Sequence, residues 1–97
     1  MKEVEKIIEK LKELKPELEQ SYFVKEIGVF GSYVRDEQTE NSDIDILIDY
    51  NSGMTLFTIV DLQDFLEKVF NKKVDIAFKK SLRPRIGKRI LSEVVYI

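Results

Sequence analysis

The sequence predicts an α/β domain: a small sheet of three strands, open to extension at an edge, with helices laid against it. Three observations carry this. Apolar residues alternate strictly in D-I-D-I-L-I-D-Y, residues 43–50, which is the periodicity of a strand. They recur at helical spacing over residues 2–15 and again over 56–70. The segments then follow one another as helix, strand, short helix, strand, helix, strand, helix, the interleaving of an α/β layer.

The first helix carries Val4, Ile7, Ile8, Leu11 and Leu14 on one stripe, with Leu18 continuing it. Its other face is Lys and Glu, with opposite charges three apart at Glu3/Lys6, Lys6/Glu9 and Glu9/Lys12. Pro16 is expected to end or kink it, since the ring removes a donor and disfavours helical geometry at Lys15. Residues 17–21 then have room for one more turn. Residues 24–30, V-K-E-I-G-V-F, read as a strand, and Ser32 is a good N-cap for a short helix directly after Gly31. The polar stretch Glu37–Ser42 is a loop, and Asn51, Ser52 and Gly53 make a turn. In the second long helix Ile59, Leu62, Leu66 and Val69 form the stripe, flanked by Phe65 and Phe70, and Asn71 fits a left-handed C-cap. Residues 73–78, K-V-D-I-A-F, form a third strand with Val74, Ile76 and Phe78 on one face. A last helix follows over about Arg83–Ser92, with Pro84 in its first turn. The apolar end, Val94–Ile97, is expected to dock back onto the domain.

Composition narrows the chemistry. Ninety-seven residues, 43% hydrophobic, make one domain, residues 1–97, with a modest core. Cys and His are both absent. That excludes disulfides, thiolate or imidazole metal sites, and every Ser-His-Asp or Cys-His scheme. Catalysis would have to run on carboxylates, Lys, Arg, Tyr, Ser or Thr, with an oxygen-loving metal. No apolar run approaches the ~20 residues of a membrane span, and no signal-peptide pattern is seen, so no membrane contact and a cytoplasmic location are expected. A net charge of −2 gives no support to direct nucleic-acid binding. The charges are segregated, however. All those from Asp36 to Asp49 are acidic, and all those from Lys79 to Arg89 are basic. Such runs are either solvated surface, or they draw a cation to one segment and a polyanion to the other.

Three carboxylates stand out. Asp43 and Asp45 are two apart on one strand, so their side chains share a face, opposite Ile44, Ile46 and Ile48. Asp75 lies between Val74 and Ile76 on the third strand and, if the strands are neighbours, reaches the same patch. A lone strand Asp is ordinarily a solvent-facing charge. Three together are costly, about 3 kcal/mol for each like pair at roughly 5 Å. A divalent cation removes that cost, and an all-oxygen donor set points to Mg²⁺ or Mn²⁺. Two such ions shared by carboxylates are a known device for phosphoryl and nucleotidyl transfer. Gly31-Ser32 supplies a complementary part: a Gly lets the backbone approach a phosphate, and Ser adds a hydroxyl. A Gly-Ser pair alone is ordinarily just a turn.

Taken together, F-G-S-Y-V-R-D-E-Q-T-E-N-S-D-I-D-I-L-I resembles the signature of the minimal nucleotidyltransferases, a branch of the DNA polymerase beta-like superfamily: Gly-Ser, ten residues, then Asp-x-Asp. Here Tyr33–Ser42 are the ten residues, and V-D-I-A-F resembles the strand of the third metal-binding Asp, Asp75. The ending S-L-R-P-R-I-G-K-R-I-L-S-E-V-V-Y-I is similar to the family's C-terminal segment as well. Where the family commonly has Ala-Arg-Gly, this chain has Val34-Arg35-Asp36. Asp36 would adopt the left-handed backbone that Gly allows, at some cost.

The resemblance implies the nucleotidyltransferase fold, α/β (α+β), a small mixed sheet of three to four strands with helices packed on one face. It implies AMP transfer from ATP, with two Mg²⁺ ions (or Mn²⁺), to a hydroxyl: a Tyr of a partner HEPN-type RNase toxin, which the chain neutralises as antitoxin. Asp43 and Asp45 would bind both metals, and Asp75 would complete the catalytic metal site. Gly31 and Ser32 would hold the triphosphate, and Arg35 is either a phosphate contact or a structural ion pair. The alternatives are an antitoxin that blocks its partner by binding alone, and transfer to a small molecule.

Overall fold

The first helix does not stop at Pro16. In the computed structural model, which describes residues 2–97, α1 runs over Glu3–Tyr22 with Pro16 inside it. An internal Pro costs about 3 kcal/mol in a helix. Against that, the apolar stripe continues on both sides: Ile7, Leu11 and Leu18 are buried, and Tyr22 stacks on Phe65 with ring centroids 5.2 Å apart. Each buried side chain of this size contributes about 1.5–3 kcal/mol, so packing outweighs the break. The helix ends instead at Phe23, which takes a left-handed φ of 59° and returns its N–H to the Leu18 carbonyl.

Three strands and two further helices follow: β1 (Val24–Phe30), β2 (Ile44–Tyr50), α2 (Leu56–Phe70), β3 (Val74–Phe78) and α3 (Pro84–Glu93), the last preceded by a single 3-10 turn at Lys79–Ser81. The chain closes on a two-residue strand, β4 (Val95–Tyr96). The sheet is mixed, in the order β3-β2-β1-β4. β1 runs antiparallel to β2 and β4, while β2 and β3 are parallel, with α2 as their crossover. The expected docking of the C-terminus is thus a fourth strand. Gly28 makes room for it: a Cβ there would stand 2.6 Å from Val94 Cγ2 and 2.9 Å from the Val95 carbonyl oxygen.

The segment after Gly31 differs from expectation. Residues 31–36 form turns, not a helix. The N–H groups of Val34 and Arg35 bond to the Gly31 carbonyl at 3.1 and 3.2 Å, and that of Glu37 to the Ser32 carbonyl at 2.9 Å. Asp36 ends the winding by taking the left-handed region, φ 59°. Tyr33, 3% exposed, anchors the loop in the core. In α2 the caps are as the sequence indicates at its C-terminus, where Asn71 is left-handed. At its N-terminus Thr55 and Thr58 cap each other's N–H groups, both at 3.3 Å.

The core lies on one face of the sheet. Ile27, Val29, Ile44, Ile46, Ile48 and Val74 meet Ile7, Leu11 and Leu18 of α1 and Leu62 and Leu66 of α2. Among the described residues no helix is long and apolar enough to cross a membrane. With the Ile side of β2 spent on this core, the Asp45 side is left to the other face, and there α3 comes in at the end of β1.

Candidate active site

Asp45 is the centre of the carboxylate group. It lies opposite Phe30 of β1 on one side and opposite Asp75 of β3 on the other. Residues paired across neighbouring strands project to the same face. The condition on which Asp75 could join the patch, adjacency of the strands, is therefore met in register. Asp43 stands just ahead of β2, two residues before Asp45. Asp43 and Asp45 are half-buried and Asp75 is exposed.

The carboxyl of Asp45 is pushed above its ordinary value, first by desolvation and then by the charges of Asp75 and Asp43, with Arg35 opposing. The site therefore holds a net negative potential, only partly offset by Arg35, at hard oxygen donors, the chemistry that suits a small divalent cation. Among the described residues no three such side chains converge into a ready-made cation cage. These carboxylates fit a metal that gathers them together with a ligand's own oxygens, as Mg²⁺ sites commonly do.

Gly31 follows β1 directly, with φ +79°. A Cβ at this position would lie 2.0 Å from Asp45 Oδ2. Only Gly satisfies both the backbone and the approach. Among the described residues neither the N–H nor the hydroxyl of Ser32 has a partner, so both are available to an anion.

The N–H of Gly31 is not available. It donates to Glu93 Oε2 at 2.5 Å. The same carboxylate receives Arg35 Nη1 at 3.0 and 2.9 Å, and Arg35 Nε donates to Glu37 Oε1 at 2.8 Å. Of the two roles open to Arg35, the ion pair is the one seen. Glu93 was not legible as a site residue. It sits 62 positions from Gly31, and only its place near the end of an amphipathic helix hinted at a contact.

A recess of about 230 Å³ opens between this loop and α3, walled by Phe30, Gly31 and Asp45 on one side and by Ile86, Arg89 and Glu93 on the other. Of the expected site residues it brings together Gly31, Arg35 and Asp45. Asp43 and Asp75 flank Asp45 outside it. A roomier recess, about 440 Å³ beside Tyr22 and Asp64, contains none of these groups. The basic segment divides in two. Lys79 pairs with Glu26 at 2.8 Å, and Lys80 lies 3.6 Å from Asp49 and donates to the Tyr50 carbonyl at 2.5 Å. Arg83, Arg85, Lys88 and Arg89 are exposed.

The sequence matches the nucleotidyltransferase domain family over residues 4–97. It is 46% identical over 83 residues, 86% of this chain and 84% of the relative, to the protein adenylyltransferase MntA of Thermococcus cleftensis. In structure it is similar to a candidate minimal nucleotidyltransferase, with TM-score 0.78 and 30% identity over 93% of this chain and 92% of the other. It also shares the fold of a chain in the complex of the tri-AMPylated Shewanella oneidensis HEPN toxin with MNT antitoxin, with TM-score 0.59 and 21% identity over 95% of this chain and 66% of that one.

Proposed function

This chain belongs to the nucleotidyltransferase domain family, and we propose that its reaction is the transfer of AMP from ATP to a tyrosine hydroxyl of a HEPN-type toxin, which it thereby neutralises. The acceptor oxygen attacks the α-phosphorus, the bond to the bridging oxygen of pyrophosphate breaks, and pyrophosphate leaves. The observation that carries this reading is the junction at Asp45. One carboxylate is flanked in register by Asp75, preceded by Asp43, and overlaid by the Gly31 backbone that leads to the free donors of Ser32. Polar donors for a phosphate and acidic groups for its counter-cations meet at one point.

Two Mg²⁺ ions held by Asp43, Asp45 and Asp75 would supply the charge neutralisation and Lewis acidity that phosphoryl chemistry needs. The chain's own groups do the rest. Ser32 orients the phosphate tail through its N–H and hydroxyl. Asp75, the most exposed carboxylate of the three, faces the acceptor and favours loss of its proton. The acceptor tyrosine would come from the partner.

The test is intact mass spectrometry of the toxin after incubation with this chain, ATP and Mg²⁺. The expected result is one or more AMP increments, reduced about a thousandfold in rate by Asp45→Asn. An unmodified toxin with the wild-type chain would remove the transfer reaction from consideration. One observation favours a second reading, inhibition by contact alone: Leu56, Phe57 and Val60 at the start of α2 are exposed apolar groups suited to a protein partner. In that case Asp45→Asn would neutralise the toxin as well as the wild type does.

A further inference from the structure

The polyphosphate of a nucleotide would enter a site whose floor is acidic. Asp45, Asp43 and Asp75 carry negative charge, and Glu93 adds another carboxylate at the Gly31 N–H. A metal offsets part of this for the phosphates it touches. The distal phosphates need a cation from the protein, and Arg35 cannot be that cation while its guanidinium is held by both Glu37 and Glu93. Lys79 and Lys80 are likewise spent on Glu26 and Asp49.

We infer that Arg89 is the residue that grips the β- and γ-phosphates, and that Glu93 and Arg35 are positioning residues that hold α3 where Arg89 can do so. This rests on the nucleotidyl-transfer reading and adds a residue to it. Arg89 lines the same recess as Gly31 and Asp45. Among the described residues no carboxylate pairs with it. It lies four residues before Glu93 on α3, one helical turn along the same face. The bonds from Glu93 to Gly31 and Arg35 fix that face against the loop, and so fix the reach of Arg89. A guanidinium suits the task, because its planar fork meets two phosphate oxygens at once. Lys88, its neighbour in sequence, faces a different recess, lined by Leu82, Pro84 and Leu91, and serves as the matched control.

The experiment is calorimetric titration of the whole chain with MgATP, comparing wild type, Arg89→Gln, Arg89→Lys and Lys88→Gln, with melting curves to confirm folding. Loss of a charge-assisted contact predicts that Arg89→Gln binds MgATP at least about tenfold more weakly. Lys88→Gln, which removes the same charge, should bind as the wild type does. Arg89→Lys, which keeps charge but loses the fork, should fall between. Equal affinity of Arg89→Gln and wild type overturns the assignment. So does equal weakening by Lys88→Gln, which would mean a general field and not a contact. If Arg89→Gln does not fold, Arg89→Lys decides, and unchanged affinity in it counts against the assignment. A wild-type chain that binds no MgATP ends the nucleotidyl-transfer reading itself, a failure distinct from the loss of Arg89 alone.

Discussion

The α-carbon of Gly31 lies so close to Asp45 that an added Cβ would stand 2.0 Å from the carboxylate oxygen Oδ2. This one approach joins the end of β1 to the central carboxylate of β2. It also explains why the loop after β1 begins with Gly, beyond the demand of its φ of +79°. Gly31→Ala should therefore fail twice. A left-handed backbone costs about 1–2 kcal/mol for a residue with a Cβ, and displacing Asp45 adds to that. We expect a loss of about 2–4 kcal/mol in urea unfolding, together with weakened MgATP binding. A variant as stable as the wild type would show that the loop yields freely.

Asp45 makes the stability of the metal-free protein depend on pH. Its carboxyl is raised by burial and by its two acidic neighbours. The folded protein thus keeps a proton that the unfolded chain has already released, in the range just above the ordinary carboxylate value. Stability from this group is full at lower pH and declines as pH rises through that window. Asp45→Asn removes the dependence. In EDTA the variant should melt a few degrees above the wild type at neutral pH, less than full burial would give because the group is half exposed. That lead should vanish on acidification below the ordinary carboxylate range. A lead that grew in acid would contradict the sign.

Glu93 fastens α3 to the loop. Its side chain is 15% exposed and receives Gly31 N–H and Arg35 Nη1 together. Glu93→Ala leaves both donors without their acceptor and should cost about 1–3 kcal/mol, seen as a lower midpoint of chemical unfolding. MgATP affinity should fall as well, because the recess loses one wall. Glu93→Gln, which can still accept from Gly31, should recover part of both. An unaltered midpoint in Glu93→Ala would mean the bonds are replaced by water at no cost.

Phe57 is 83% exposed on the first turn of α2, beside Leu56 and Val60. Phe57→Glu should leave folding within about 0.5 kcal/mol of the wild type, as surface changes do. If this patch receives the partner, association should weaken at least about tenfold, since buried aromatic anchors carry much of interface energy. Light scattering or calorimetry with the HEPN-type protein measures it. Unchanged affinity would place the contact elsewhere on the chain.

The strands and helices were legible because their periodicity is local. Ile44, Ile46 and Ile48 alternate with Asp43, Asp45 and Asp49, and that alternation fixes which face of β2 holds the carboxylates whatever lies around it. Residue type placed Asn71 at a helix end, and the resemblance to a family with Gly at position 36 gave Asp36 its left-handed backbone; the structure has both. Pro16 misled because its penalty is local while the stripe from Ile7 to Leu18 draws its stability from the sheet beneath. The short helix expected after Ser32 failed for a similar reason: the burial of Tyr33 and the turn at Asp36 decide that segment, not its cap.

The sequence by itself determined the carboxylate pair, its facing and the Gly-Ser turn, since each follows from chain spacing of a few residues. Only the tertiary structure decided that Asp75 stands level with Asp45, because register between β2 and β3 depends on how α2 packs across them. Only it decided that Glu93 occupies the Gly31 N–H, that Arg35 is spent on ion pairs and that Arg89 faces the recess. Glu93 reaches Gly31 and Arg35 from 62 and 58 positions away, and no periodicity within one segment encodes which end of a sheet a later helix will cover.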